Sequence, residues 1–285
     1  MNESTALTVQ QLLEKHSPMP FTFTAERDIV ASSVTQWHTF GLNTKYLGKK
    51  GYVPGLQQVG SNTWAHFHRL IYDIDNFSVD EVERWEGDIR DIAGMTTSKY
   101  FLKGFHCLDR FVELNYPHLI EDISEEGLSK ALADPDLRVL MSGEGVFRFY
   151  GWDNRMFLDG QIGIERLAAA RYIAGKLNTK VPVTGAVHSQ HISYKAVRGL
   201  CEDFDLYAVK KSFDLEIGFF RAMQTLKASY YYIDLPDPLL GRAILLPKDD
   251  PQSMAVANLL TQADVTDLGL HLEVLSSNQA FAPNT

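Results

Sequence analysis

The feature that most constrains the fold is a change of rhythm near Ile123, after which short helix-like and strand-like segments alternate. Leu128–Ala133 has the spacing of a helical turn and is closed by Asp134-Pro135-Asp136. Leu137–Met141 follows as a strand, Ser142-Gly-Glu-Gly145 as a turn and Val146–Tyr150 as a second strand. Two strands joined by four glycine-containing residues read as a hairpin. Trp152-Asp-Asn-Arg155 is another turn and Met156–Leu158 a third strand. After Asp159-Gly160 the period becomes helical from about Ile164 to Leu177, with Leu167, Ala170, Ala174 and Leu177 on one face. Asn178-Thr179 stops that helix, and Val181-Pro-Val183 begins a strand. Such a mixture makes the chain α+β.

The flanking segments carry weaker signals. A helix is expected over Ala6–Lys15, ended by Ser17-Pro18, then a strand at Phe21-Thr-Phe-Thr. Residues 41–63, rich in Gly, Lys, Asn and Ser, read mostly as loop, and Trp64–Tyr72 as strand. Ser78 followed three residues later by Glu81 has capping-box spacing, which predicts a helix through about Ile92. A further helix is expected over Thr97–Leu114, punctuated by Pro117. Beyond the middle region, Ser193–Asp203 reads as helix, and Leu206–Val209, Tyr230–Ile233 and Arg242–Leu246 as strands. Asp250-Pro251 caps and starts a helix through Ala263. His271–Leu275 reads as a last strand, and Ser276–Thr285 as a fraying tail. The expected domains are an N-terminal α/β extension (1–120), a core (121–190) and a C-terminal α/β extension packed on the core (191–285).

Composition bounds the function. The chain has 285 residues, 45% apolar and 22% charged, which is ordinary for a globular protein. Its formal charge of −9 repels phosphate backbones and argues against nonspecific nucleic-acid binding. Two cysteines, Cys107 and Cys201, are too few for a disulfide framework or a cysteine-rich zinc site, and both are expected as buried small side chains. The start Met-Asn-Glu-Ser-Thr has no basic or apolar run, and no window reaches the ~18 apolar residues of a membrane span. A soluble, cytoplasmic protein with no membrane association is expected.

Chemistry concentrates at Gly160-Gln-Ile-Gly163-Ile-Glu165-Arg166, between a strand and a helix. Glycines let a backbone approach a bound group, and a helix N-terminus offers amides to an anion. Arg166 in the first turn faces the positive end of the macrodipole, which disfavours a cation by ~0.3–1 kcal/mol unless negative charge offsets it. A bound phosphate would supply that charge; so would a nearby carboxylate such as Asp159 or Glu165.

Gly163-Ile-Glu-Arg166-Leu-Ala-Ala-Ala170 resembles the Gly-x-x-Arg-x-x-Ala signature of the ParB/sulfiredoxin superfamily. The element order over roughly residues 120–190 resembles that family as well: helix, strand, turn, two strands, an Asp-Gly turn, the signature helix, and a strand opening Val-Pro-Val. The resemblance implies a mixed sheet with helices whose glycine-arginine loop grips nucleotide phosphates. Members include CTP-binding partition proteins, ATP-dependent sulfinate reductases, a free-serine kinase and proposed nucleases. Carried onto this chain, Gly160, Gly163 and Arg166 would bind the phosphates of ATP or CTP. Asp159 and Glu165 would be the catalytic pair, holding Mg²⁺ or acting as base. Ile164-Glu165 stands where sulfiredoxins have Cys-His, so sulfinate reduction is excluded, and no helix-turn-helix follows in 190–285. The implied activity is that of an NTP-dependent phosphotransferase, NTPase or nuclease. The alternative is a catalytically inactive scaffold acting through a protein partner or homo-oligomer.

Other clusters favour plain structural readings. His66 and His68 would share one strand face with Asp73 and Asp75 on the other, so one metal ion cannot collect all four. His188 and His191 read as loop histidines, and a zinc or copper site lacks a third ligand. Tyr230-Tyr-Tyr232 could stack bases but reads as sheet packing. Lys49-Lys50 and Lys210-Lys211 are solvated pairs. The chain has no P-loop, dinucleotide fingerprint or nucleophile elbow.

Overall fold

Two five-stranded sheets organise the chain. The computed structural model describes residues 21–24, 26–42, 44, 50–60, 63–96, 102–160 and 163–281; the helix expected over Ala6–Lys15 lies outside them. The strands are β1 (Tyr52–Gln58), β2 (Trp64–Leu70), β3 (Ser78–Asp88), β4 (Ile92–Met95), β5 (Gly145–Tyr150), β6 (Arg155–Asp159), β7 (Pro182–Ile192), β8 (Phe204–Lys210), β9 (Tyr230–Asp234) and β10 (Gly241–Pro247). The helices are α1 (Tyr72–Asp75), α2 (Leu108–Asn115), α3 (Glu125–Leu132), α4 (Pro135–Ser142), α5 (Ile164–Leu177), α6 (Tyr194–Asp203), α7 (Phe213–Leu226), α8 (Pro251–Gln262) and α9 (Leu268–Asn278). The α+β class is therefore the observed one. No helix among the described residues is long and apolar enough to cross a membrane.

The chain divides into two units, each assembled from separate segments. One comprises Gln36–Ser78 and Ile192–Asn278 with the segment ending at Thr24; the other comprises Ala25–Thr35 and Val79–His191 with the segment from Gln279.

The first unit holds the sheet β2-β1-β9-β10-β8, antiparallel throughout. Its core joins Leu56, Tyr230, Ile244 and Leu246 of the sheet to Met223 and Leu226 of α7 and Val256 and Leu260 of α8. The second unit holds β3-β7-β5-β6-β4, in which β5 and β6 form an antiparallel hairpin flanked by parallel pairings with β7 and β4. Alternation puts Phe147, Phe149, Met156, Leu158 and Val187 on the core side, in one cluster with Leu167, Ala170 and Ala174 of α5. Burying each large apolar side chain contributes about 1.5–3 kcal/mol. Asn178, in the left-handed conformation (φ 51°), ends α5 where expected.

Several local expectations are corrected. Residues 78–88 form β3 rather than a helix, because pairing with β7 outweighs the local capping-box pattern, and a single 3-10 turn over Ile89–Asp91 leads into β4; Ile89 N–H donates to Val181 O at 2.9 Å. Within the expected loop 41–63, β1 pairs with β2 from Tyr52↔Leu70 to Gln58↔Trp64. Gly55 belongs there because a Cβ would lie 2.7 Å from Tyr230 O. Leu137–Met141 is part of α4: Asp134-Pro135 starts a helix instead of closing one, the amides of Leu137 and Arg138 donating to Asp134 O. The expected hairpin thus moves one element along, to β5 and β6. His271–Leu275 lies in α9, where Leu268, Leu272 and Ser276 are buried at intervals of four. Ser276 does not fray, and Ala280 N–H donates to Gly151 O. Phe21–Thr24 joins no sheet; Phe21 N–H donates to Thr266 Oγ1. Of Thr97–Leu114, helix begins only at Leu108, and residues 97–101 lie outside the described set. Cys107 is exposed, where its Sγ accepts from Arg110 N–H at the start of α2. The helix α7 carried no expectation.

Candidate functional site

The parallel pairing of β4 with β6 brings Thr96 and Asp159 together where both strands end. Asp159 Oδ1 accepts from the Thr96 hydroxyl at 2.7 Å, and its Oδ2 accepts from Arg148 Nη2 at 3.1 Å. Arg148 lies on β5 opposite Phe157, so it shares the sheet face of Asp159 one diagonal step away. Both oxygens of this carboxylate are engaged, one by a full positive charge. A metal ion bound there would have to displace one of these two contacts.

After Asp159 the chain turns at Gly160, whose φ of +142° is a conformation open to glycine and whose absent Cβ would meet nothing within 4 Å. Gly163 is the N-cap of α5 and, lacking a side chain, provides no capping bond. Glu165 leans back over this start, its Oε1 3.0 Å from where a Gly163 Cβ would stand. That places negative charge at the positive end of the helix. Arg166 points elsewhere: its Nε lies 3.4 Å from Asp134 Oδ2, in the turn that opens α4. The cation at the helix start is thus offset by a carboxylate, and by Asp134 rather than by Asp159 or Glu165.

Gly163, Glu165 and Arg166 are accordingly gathered at one helix start, while Asp159 faces the sheet and belongs to a different polar group. Among the described residues no three His, Cys, Asp or Glu side chains are placed to hold a metal ion. Mg²⁺ needs only one or two carboxylates from a protein, and with Asp159 bound to Thr96 and Arg148 the two acids form no ready ligand pair. Sequence reasoning missed Thr96, Arg148 and Asp134. Arg148 had a signal in Val146-Phe-Arg-Phe-Tyr150, whose alternation sets the arginine opposite the two phenylalanines.

The remaining candidates settle as follows. His66 and His68 are both exposed on β2, and Asp73 and Asp75 sit beyond its end on α1. His188 and His191 lie on β7, not in a loop. His191 is buried, its Nδ1 has no hydrogen-bond partner among the described residues, and burial lowers its pKa. Tyr230 and Tyr231 are buried in β9, as sheet packing requires. A cleft of about 260 Å³ in the first unit is lined by Cys201, Asp205, Lys248, Asp267 and Glu273. Burial pushes the Cys201 thiol up to about 12, so it offers no thiolate at neutral pH.

No curated protein and no solved structure matches the chain. A family model does, over residues 82–285, from the middle of β3 through every later element of both sheets. The chain therefore belongs to DUF6685, a family of unknown function.

Proposed function

We propose that this chain acts by binding a protein partner, with its ParB/sulfiredoxin-like segment kept as a scaffold rather than as a catalyst. One observation carries this reading. Of the three charged groups that nucleotide chemistry would use, two are committed to other side chains of the same protein, Asp159 to Thr96 and Arg148, and Arg166 to Asp134. Of the two acids that leaves Glu165, and a single carboxylate makes no acid–base pair.

Titration calorimetry with ATP, CTP and GTP in the presence of Mg²⁺ tests it. The expected outcome is no heat and no nucleotide turnover. Turnover that disappears in Arg166→Ala would overturn the reading. A second reading, a site for the phosphate of a nucleotide such as ATP or CTP without chemistry, is favoured by the uncapped start of α5 and the open space around Gly160. In that case heat appears without turnover.

A further inference from the structure

We propose that the free edge of β3 accepts an extended strand from a protein partner that carries lysine or arginine at alternate positions. This rests on reading the chain as a binding protein and names the surface and the chemistry of what it binds.

β3 is the outermost strand of its sheet, with β7 on its inner side. Val79 to Arg84 are all exposed, an unbroken run of six, and Val82 is 62% exposed although apolar. Two hydrogen bonds bracket the strand on its β7 side, Ser193 N–H to Phe77 O and Ile89 N–H to Val181 O. Both fall on odd-numbered residues. Strand alternation therefore turns the N–H and C=O of Asp80, Val82, Arg84 and Glu86 toward the outer edge. Among the described residues no strand pairs there. Such a row of donors and acceptors is a template for another chain.

The side chains select which chain. Glu81 and Glu83 share one face of the strand, while Asp80, Val82 and Arg84 share the other. Four carboxylates against one guanidinium make residues 80–86 acidic. A second copy is a poor occupant: the two-fold register that sets Asp80 against Arg84 also sets Glu81 against Glu83, and like charges directly opposite destabilise a strand pair. A partner with basic side chains opposite Glu81 and Glu83, and an apolar β-branched one opposite Val82, satisfies both faces.

The test uses the full chain and a fluorescein-labelled, end-capped eight-residue peptide in which lysine alternates with valine and threonine, followed by anisotropy. Saturable binding is expected, at least tenfold weaker for the peptide with glutamate in place of lysine. A peptide N-methylated at alternate amides, which keeps its charge and loses the ladder, is expected to bind at least tenfold more weakly. Val82→Pro removes an outward N–H without touching the β7 ladder and is expected to do the same; where that variant fails to fold, the N-methylated peptide decides. Glu81→Lys with Glu83→Lys is expected to reverse the preference between the two peptides. Absence of binding, or equal binding of the N-methylated peptide, overturns the proposal. So does a concentration-dependent dimer that Val82→Pro abolishes, since a second copy would then own the edge. None of these outcomes bears on nucleotide turnover, which alone sinks the underlying reading.

Discussion

Two helices of this protein begin in opposite ways. At α8, Asp250 accepts from the Gln252 amide at 2.9 Å, from the Ser229 amide at 3.0 Å and from the Ser253 hydroxyl at 2.8 Å, and Pro251 brings no amide that needs an acceptor. At α5, Gly163 offers nothing, and the first turn carries one acid and one base. The first start is closed by its own residues and ties α8 to the chain before β9. The second holds without a cap because Leu167, Ala170 and Ala174 are buried in the core. Helices in folded proteins draw most of their stability from such packing, which frees an N-terminus from any structural duty.

The contrast breaks most visibly at Asp250. Asp250→Ala removes a helix cap and leaves the Ser229 amide unpaired, so a loss of about 2 kcal/mol is expected in denaturant unfolding. The same group has a pH signature. Its hydrogen bonds hold the carboxyl below the usual range despite burial that pushes the other way. The unfolded chain therefore takes up the proton first as pH falls. This contribution is complete above about pH 4 and is lost below it, through the lowered folded pKa.

A second acid-sensitive group separates from the first by pH. Burial lowers His271 on α9 to about 4, and its ring stacks on Phe23 at 3.7 Å. The folded chain keeps this imidazole neutral while the unfolded chain protonates it near 6.5, so stability falls as pH drops from about 6.5 to 4. His271→Phe preserves the stacking and is expected to reduce the slope of melting temperature across that window, leaving the part that buried His191 contributes and the loss below pH 4 in place. An undiminished slope in the variant would assign it to another group.

The two starts were also unequally legible. Asp250-Pro251 was readable because its signal is local, and so was the span of α5, whose apolar face repeats at helical spacing. The same Asp-Pro signal at Asp134-Pro135 reads as a terminator from sequence, because Leu137–Met141 is a short, mostly apolar run of the kind that fits strand or helix equally. Ser78 and Glu81 show the converse: a good local helix signal overridden by a partner more than a hundred residues away on β7. At the candidate site, Arg166 and its need for a counter-charge were visible. That Asp134 supplies it was not, because that contact exists only once α4 and α5 have packed.

The uncapped start of α5 can be given the cap that α8 has. Gly163→Asp places a carboxylate where α8 has one; among the described residues its Cβ would come nearest to Glu165 Oε1, at 3.0 Å, the far end of a flexible side chain. A gain of about 0.5 kcal/mol is expected, since glycine is already a fair cap. If α5 does hold a phosphate, the same change abolishes that binding while raising stability, a pairing that a purely structural helix start cannot produce.

The smallest effect is the most telling. The Arg166–Asp134 pair is half exposed, with side-chain accessibilities of 47% and 23%, and Nε approaches Oδ2 to 3.4 Å. Pairs of that kind contribute about 0–1 kcal/mol, and removing a cation from the positive end of a helix returns part of it. Arg166→Ala is therefore expected to change unfolding free energy by less than about 0.5 kcal/mol, with a coupling to Asp134→Ala of similar size in a double-mutant cycle. A coupling well above 1 kcal/mol would mean that the arginine fastens α5 to the start of α4, a structural duty sufficient to explain its presence. A coupling near zero leaves Arg166 unexplained by the fold, and it is then the first residue to test against any phosphate-bearing ligand.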